Sequence, residues 1–265
     1  MEFTAIAPRL MTPALSGGIF IFQEHTMSKP LGYFDLKEAL AKRGCPVCRL
    51  EFRAADSAID SLLWESVNDV ETRHRLNAAR GFCRTHAEQL VRNGAALGVS
   101  IMMRDVVHTV AEILAAGEFQ PSPGLAVRKK LPGFNHGGSP ATDVLVKTLS
   151  PQAECPICTA QHAAGTRYLQ TLTENFTGAD SLADEYRRSD GLCLPHFRRA
   201  LGFVTDAETF RALAEAQLHI WRQLTDQLDE FIRKNDYRFQ REKMGREGDA
   251  WQRALAAISG GSKWI

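Results

Sequence analysis

The stretch Cys-Pro-Val-Cys at residues 45–48 is repeated as Cys-Pro-Ile-Cys at residues 155–158, 110 residues further along the chain. In each copy a Cys-x-x-His pair follows after a spacer of 34 residues. Because this pattern uses all six cysteines of the protein and keeps one offset throughout, it indicates an internal duplication. The eight residues of the pattern are Cys45, Cys48, Cys83, His86, Cys155, Cys158, Cys193 and His196.

Three cysteines and one histidine at such spacing are typical of a closed, four-coordinate metal site. We expect one site in each repeat, and the first would use Cys45, Cys48, Cys83 and His86. Proline favours the first position of a helix, so Cys45 should be an N-cap and Cys48 should lie in the first turn. Cys83 and His86 have the same separation after the helix-breaking Gly81, so each site should lie at two paired helix N-termini. The second site would use Cys155, Cys158, Cys193 and His196.

Zinc is the metal that this ligand set favours, with one ion in each site. The positive ends of two helices would stabilise the thiolates that the ion needs. Two iron–sulfur clusters are the main alternative, although clusters are usually held by four cysteines and each site here contains a histidine. Three disulfides are the second alternative, but such frameworks are typical of short secreted chains. A thioredoxin-like dithiol would need a βαβ context that the pattern does not indicate.

Helical periodicity dominates the chain and strand-like alternation is almost absent, which predicts an all-α protein built from two tandem helical repeats. A segment rich in proline and glycine separates the two repeats and is typical of a linker. The predicted units are a disordered extension at 1–32, a first metal-binding repeat at 33–116, a linker at 117–140, a second metal-binding repeat with a long C-terminal helix at 141–236, and a tail with a short helix at 237–265.

Several helix starts can be proposed from capping patterns. Asp35 with Glu38 predicts an N-cap for a short helix at 35–42, and Thr205 with Glu208 forms a second capping box before the long helix. The other helices are predicted at 46–67, 69–79, 83–92, 97–116, 141–149, 181–189, 206–235 and 249–258, with two more that begin at 156 and 193.

Composition limits the function classes. The chain has 265 residues and a formal net charge of +1, so no general electrostatic attraction to nucleic acid or anionic membrane is expected. No stretch approaches the roughly 18 apolar residues of a membrane span. Residues 1–32 resemble a secretion signal only weakly, so we expect a cytoplasmic protein. The sequence leaves homo-oligomer formation open.

The sequence contains none of the common phosphate-loop, dinucleotide, metalloprotease or nucleophile-elbow motifs, and we assign no catalytic residue. Arginines flank the turns at Cys83 and Cys193. They either donate hydrogen bonds to the thiolates or face solvent, and the sequence does not distinguish these alternatives. These arginines are Arg80, Arg84, Arg188 and Arg198.

The Cys-Pro-x-Cys stretch followed by Gly-[Phe/Leu]-Cys-x-x-His resembles a group of bacterial proteins of unknown function that carry this ligand set in duplicate. The stretch at residues 231–239 and Trp251 are also similar to that group. The resemblance covers roughly residues 33–260 and implies the metal ligands and the duplicated helical fold. It implies no activity.

The expected function is a non-enzymatic, zinc-stabilised scaffold that binds another protein of unknown identity. The alternative is a redox or electron-transfer protein, or an enzyme subunit, with two iron–sulfur clusters. A nucleic-acid-binding protein is a third and weaker hypothesis, because it would need a basic surface that the net charge does not indicate.

Overall fold

The computed structural model describes residues 29–117, 140–239 and 241–261. These residues form eleven α-helices and one 3-10 helix and contain no β-strand, so the all-α prediction is confirmed. The helices are α1 (Leu31–Leu40), α2 (Pro46–Trp64), α3 (Val70–Ala78), α4 (Arg84–Leu90), α5 (Ala96–Ala115), α6 (Pro140–Leu149), α7 (Pro156–Glu174), α8 (Ala183–Arg188), α9 (Leu194–Leu201), α10 (Ala207–Lys234), the 3-10 helix (Arg246–Asp249) and α11 (Ala250–Ser259).

Helices α2 and α7 form the centre of the molecule and make the most extensive helix–helix contact. Each has 19 residues, starts with a proline and takes a cysteine as its N-cap, as the two Cys-Pro-x-Cys stretches predict. Helix α2 begins in one hydrophobic cluster and ends in a second, whereas α7 begins in the second and ends in the first. The two helices therefore run in opposite directions.

Both hydrophobic clusters draw on both halves of the sequence. The first joins α1 and the start of α2 to the end of α7 and to α8, α9 and α10, with Phe176 and Tyr186 packed edge to face at 5.2 Å. The second joins the end of α2 to α3, α4, α5 and the start of α7, around Ile59, Leu76 and Met102. The two halves of the chain thus interlock through a shared core.

A buried glycine precedes each Cys-x-x-His pair. Gly81 and Gly191 have φ angles of 98° and 67°, a left-handed conformation that side chains other than glycine rarely adopt. A Cβ atom on Gly191 would also lie 2.9 Å from both Gln217 Oε1 and Ile220 Cδ1. These turns end α3 and the α8 region and place the following cysteines at the starts of α4 and α9.

Two of the expected helix starts are wrong. Helix α1 begins at Leu31, inside the predicted extension, and Asp35 lies within the helix, where its carboxylate accepts a hydrogen bond of 2.9 Å from the Tyr168 hydroxyl. Burial of Tyr33 and Leu36 in the first cluster outweighs the local capping pattern. Helix α10 is capped by Asp206 and not by Thr205, because the Asp206 carboxylate accepts a hydrogen bond from the Thr209 amide.

The C-terminal segment packs onto the long helix α10 through the 3-10 helix and α11. The buried Glu247 carboxylate accepts a hydrogen bond of 2.6 Å from Lys234 Nζ, and this contact lowers the pKa of Glu247 to about 2. Most of the predicted extension (residues 1–28) and of the predicted linker (residues 118–139) lies outside the described residues. Among the helices that are described, none combines the length and apolar character that crossing a membrane requires.

Candidate metal centres

The structure brings the eight predicted ligands together in two groups of four. Within each group all four ligand atoms lie within 4.8 Å of one another, so each group can hold a metal ion. Group 1 consists of Cys45, Cys48, Cys193 and His196. Group 2 consists of Cys83, His86, Cys155 and Cys158.

The partners in the two groups differ from the expected pairing. The sequence analysis placed Cys45 and Cys48 in one site with Cys83 and His86, and the structure corrects this assignment. Each Cys-Pro-x-Cys stretch lies against the Cys-x-x-His pair of the other half. The reason is the antiparallel packing of α2 and α7, which places the start of each helix in a cluster built largely from the other half.

Paired helix starts form both groups, as the sequence predicts. Group 1 lies at the beginnings of α2 and α9, and group 2 lies at the beginnings of α4 and α7. In every one of these helices a cysteine is the N-cap, and the second ligand lies in the first turn. The positive ends of two helix dipoles therefore face three sulfur atoms in each group, which stabilises thiolates.

The distances within each group fit a single tetrahedral ion. In group 1, Nδ1 of His196 lies 3.2 Å from Cys193 Sγ, 3.3 Å from Cys48 Sγ and 3.4 Å from Cys45 Sγ. The sulfur atoms of Cys48 and Cys193 are 3.7 Å apart. Zinc bond lengths place tetrahedral ligands about 3.8 Å apart for two sulfurs and about 3.6 Å apart for sulfur and nitrogen.

Group 2 has almost the same geometry. Nδ1 of His86 lies 3.2 Å from Cys83 Sγ, 3.3 Å from Cys158 Sγ and 3.7 Å from Cys155 Sγ. The sulfur atoms of Cys83 and Cys158 are 3.5 Å apart. In both groups Nδ1 points at the sulfur atoms and Nε2 points away from them, so both imidazoles present the same nitrogen to an ion.

Each outward-facing Nε2 has a partner that the sequence analysis missed. His196 Nε2 lies 3.1 Å from the buried Glu51 carboxylate, and His86 Nε2 lies 2.9 Å from the Gln161 amide oxygen. Glu51 and Gln161 are themselves 110 residues apart, and each lies one helical turn beyond the second cysteine of its stretch. This shared offset was the available signal. Such partners hold the proton on Nε2 and leave Nδ1 free for a metal.

Only group 1 extends this contact to a charged network. The Glu51 carboxylate accepts a hydrogen bond of 2.8 Å from Arg199 Nη1, and the position equivalent to Arg199 in the other half is Gln89. None of the four arginines considered in the sequence analysis donates a described hydrogen bond to a thiolate. Arg80 and Arg188 donate to backbone carbonyls, Arg84 pairs with Glu88, and Arg198 is exposed.

The two imidazoles differ in proton affinity because their outer partners differ in charge. Burial alone would lower the pKa of His196, but hydrogen bonds with Cys193, Cys48 and Glu51 raise it to about 11. Burial lowers the pKa of His86, and its hydrogen bond with the neutral Gln161 does not compensate. A metal that binds group 1 must therefore displace a proton that His196 holds more tightly than His86 does.

The thiols also differ. Hydrogen bonds from Cys193 and Cys45 hold the pKa of Cys48 well below its usual value, whereas burial raises the pKa of Cys45. In group 2, burial raises the pKa of Cys158 to about 12, and Cys83 and Cys155 add to this effect. Cys48 is thus the thiol in group 1 that most readily becomes a thiolate.

The groups differ in exposure as well. All four residues of group 1 are buried, whereas Cys83 and Cys158 of group 2 are half-buried. The end of α11 covers group 1, where the Gly261 amide donates a hydrogen bond of 3.5 Å to Cys48 Sγ. Solvent therefore reaches group 2 more easily than group 1.

Close packing of Gly165 against Glu51 gives a testable prediction. A Cβ atom on Gly165 would overlap the Glu51 carboxylate and displace it from His196 and Arg199. Breaking such a buried pair costs about 3 kcal/mol or more, so Gly165→Ala is expected to lower the midpoint of thermal unfolding by roughly 10 °C. Circular dichroism during heating measures this shift.

Gly32→Ala is the matched control, because Gly32 also lies in a helix but its Cβ would meet no atom closer than 3.4 Å. We expect the control to change the free energy of unfolding by less than about 1 kcal/mol. Equal melting temperatures for Gly165→Ala and the unaltered protein would contradict the contact between Gly165 and Glu51.

Comparison with known proteins agrees with the duplicated ligand set but gives no activity. The chain is 23% identical over 219 residues to an "Uncharacterized 23.9 kDa protein in xynA 3'region" of Caldicellulosiruptor sp. (strain Rt8B.4), covering 82% of this chain and 95% of that protein. No solved structure matches the chain. A family model described as "Family of unknown function (DUF6062)" matches residues 27–264. The chain, with its two Cys3His groups shared between its halves, therefore belongs to the DUF6062 family.

Proposed function

We propose that the protein is a non-enzymatic scaffold whose two halves are joined by two zinc ions. The observation that carries this proposal is the exchange of ligands, because each group takes two ligands from each half. In group 1, an ion would join residues that are 145 to 151 positions apart in the sequence. In group 2 it would join residues 69 to 75 positions apart.

Crosslinks over such long loops have a clear energetic role. Closing a long loop costs chain entropy, and an ion that binds only the folded arrangement offsets this cost. The free energy of metal binding then becomes part of the free energy of folding. Because group 1 lies within the first hydrophobic cluster, an ion there would also fix how α2 and α9 meet.

The ligand geometry supports zinc over an iron–sulfur cluster. In a cluster the protein ligands bind different iron atoms, so they stand further apart than ligands that share one ion. Here every pair of ligand atoms in a group lies within 4.8 Å. The histidine in each group also favours a single ion with three sulfur ligands and one nitrogen ligand.

The closed ligand set supports a structural role. Catalytic zinc sites keep one position for water or substrate, whereas these groups supply four protein ligands each. We propose that the folded scaffold binds another protein in the cytoplasm. The near-neutral net charge favours neither nucleic acid nor a membrane surface as the partner.

Elemental analysis of protein purified without oxygen tests the choice of metal. We expect a colourless protein with two zinc ions per chain. The variant His219→Ala is a control, since His219 lies on α10 outside both groups and bonds Gln223, and it should also bind two ions. Iron with acid-labile sulfide and visible absorption that bleaches on reduction would instead support the iron–sulfur alternative and contradict the proposal.

A further inference from the structure

A cleft of about 830 Å³ opens beside group 1, between helix α10, the C-terminal segment and the turns that lead into α2 and α9. Five arginines from separate parts of the chain line this cleft, together with two aspartates, which gives the lining a net charge of +3. The whole chain has a net charge of only +1, so the cleft concentrates positive charge. The arginines are Arg43, Arg187, Arg188, Arg246 and Arg253.

Internal ion pairs do not use up this charge. Arg43 and Arg253 share the Asp249 carboxylate, and Arg187 pairs with the exposed Asp184. Arg188 and Arg246 form no ion pair within the part of the chain that the structure describes. The second aspartate, Asp190, accepts a hydrogen bond of 2.7 Å from the Gly44 amide. At least two guanidinium groups are therefore available to an anion.

The shape and chemistry of the cleft define a class of ligand. Its volume lies in the range typical of small-molecule sites. Guanidinium groups match the geometry of phosphate oxygens and bind them through paired hydrogen bonds. Three glutamines, Gln223, Gln227 and Gln252, add uncharged amide groups to the lining. We propose that the cleft binds a small ligand that carries a diphosphate or a similar group with several negative charges.

Such a ligand would join elements that are far apart in the sequence. Arg188 ends α8, whereas Arg246 begins the 3-10 helix that leads into α11. Cys45 and Cys193 also line the cleft, so the bound anion would lie next to group 1 and would help to hold the C-terminal segment over it. This binding is separate from the proposed structural role of the metal ions.

Calorimetric titration of the full-length, metal-loaded protein with inorganic pyrophosphate at low ionic strength tests the proposal. We expect saturable binding of one pyrophosphate per chain that weakens as salt is added. Arg188→Ala and Arg246→Ala should each weaken binding about tenfold, because each removes charge-assisted hydrogen bonds. Neither side chain forms a described ion pair, so both variants should melt close to the unaltered protein.

Arg222→Ala is the matched control, since Arg222 is an exposed arginine on α10 that does not line the cleft. It should bind pyrophosphate with unchanged affinity. A second arm replaces free pyrophosphate with vesicles that contain phosphatidic acid, with neutral vesicles as reference. Failure to bind free pyrophosphate below about 1 mM, binding to the vesicles alone, or an equal loss with Arg222→Ala would each overturn the proposal.

Discussion

The double variant Cys48→Ser/Cys193→Ser is expected to keep one of its two metal ions, whereas Cys48→Ser/Cys83→Ser is expected to keep neither. The first variant removes two ligands from group 1 and leaves group 2 intact. The second removes one ligand from each group. Zinc-binding free energies of about 10–16 kcal/mol, spread over four ligands, give about 3 kcal/mol per ligand, so one lost thiolate weakens binding roughly a hundredfold or more.

The measurement is the number of metal ions per chain after dialysis against a chelator that the unaltered protein withstands. Both variants carry two substitutions and share Cys48→Ser, so a general loss of stability would affect them alike. If each half formed its own site, Cys48 and Cys83 would share one ion and the order of the two results would be reversed. That reversed order would show that the exchanged pairing is wrong.

Complete removal of metal under reducing conditions is expected to unfold most of the helical structure. The stability of a typical domain is about 5–15 kcal/mol, which is comparable to the binding free energy of a single structural zinc ion. Cys45, Cys48 and Cys193 belong to the first hydrophobic cluster, so loss of the ion would leave mutually close polar sulfurs inside that core. Far-UV circular dichroism and thermal melting, with elemental analysis of the same samples, measure the effect.

Release should occur in two steps, because Cys83 and Cys158 of group 2 are half-buried and group 1 is buried throughout. We expect group 2 to lose its ion first, and added zinc to restore the helical signal. Protein treated with chelator that is already saturated with zinc is the control for effects of the chelator itself. Unchanged helicity and melting temperature in protein shown to be free of metal would contradict a structural role.

The sequence alone determined the parts of the structure that depend on local rules. The spacing of cysteine and histidine identified all eight members of the two groups, and proline after Cys45 and Cys155 placed both at helix starts. Helical periodicity was sufficient for the all-α class and for most helix positions. The internal duplication itself stays a prediction from the constant offset. Capping patterns failed at Asp35 and Thr205, where burial of neighbouring side chains or an adjacent aspartate provides the observed start.

Only the tertiary structure decided which ligands share a group. Both halves carry the same residue types at the same spacing, so a site within one half and a site shared between halves satisfy the same local rules. The antiparallel packing of α2 and α7 selects the shared arrangement, because it places the start of each helix in a core cluster built largely from the other half. The contact of Glu51 with His196 and the cleft lined by arginines arise in the same way, since both depend on residues that folding alone brings together.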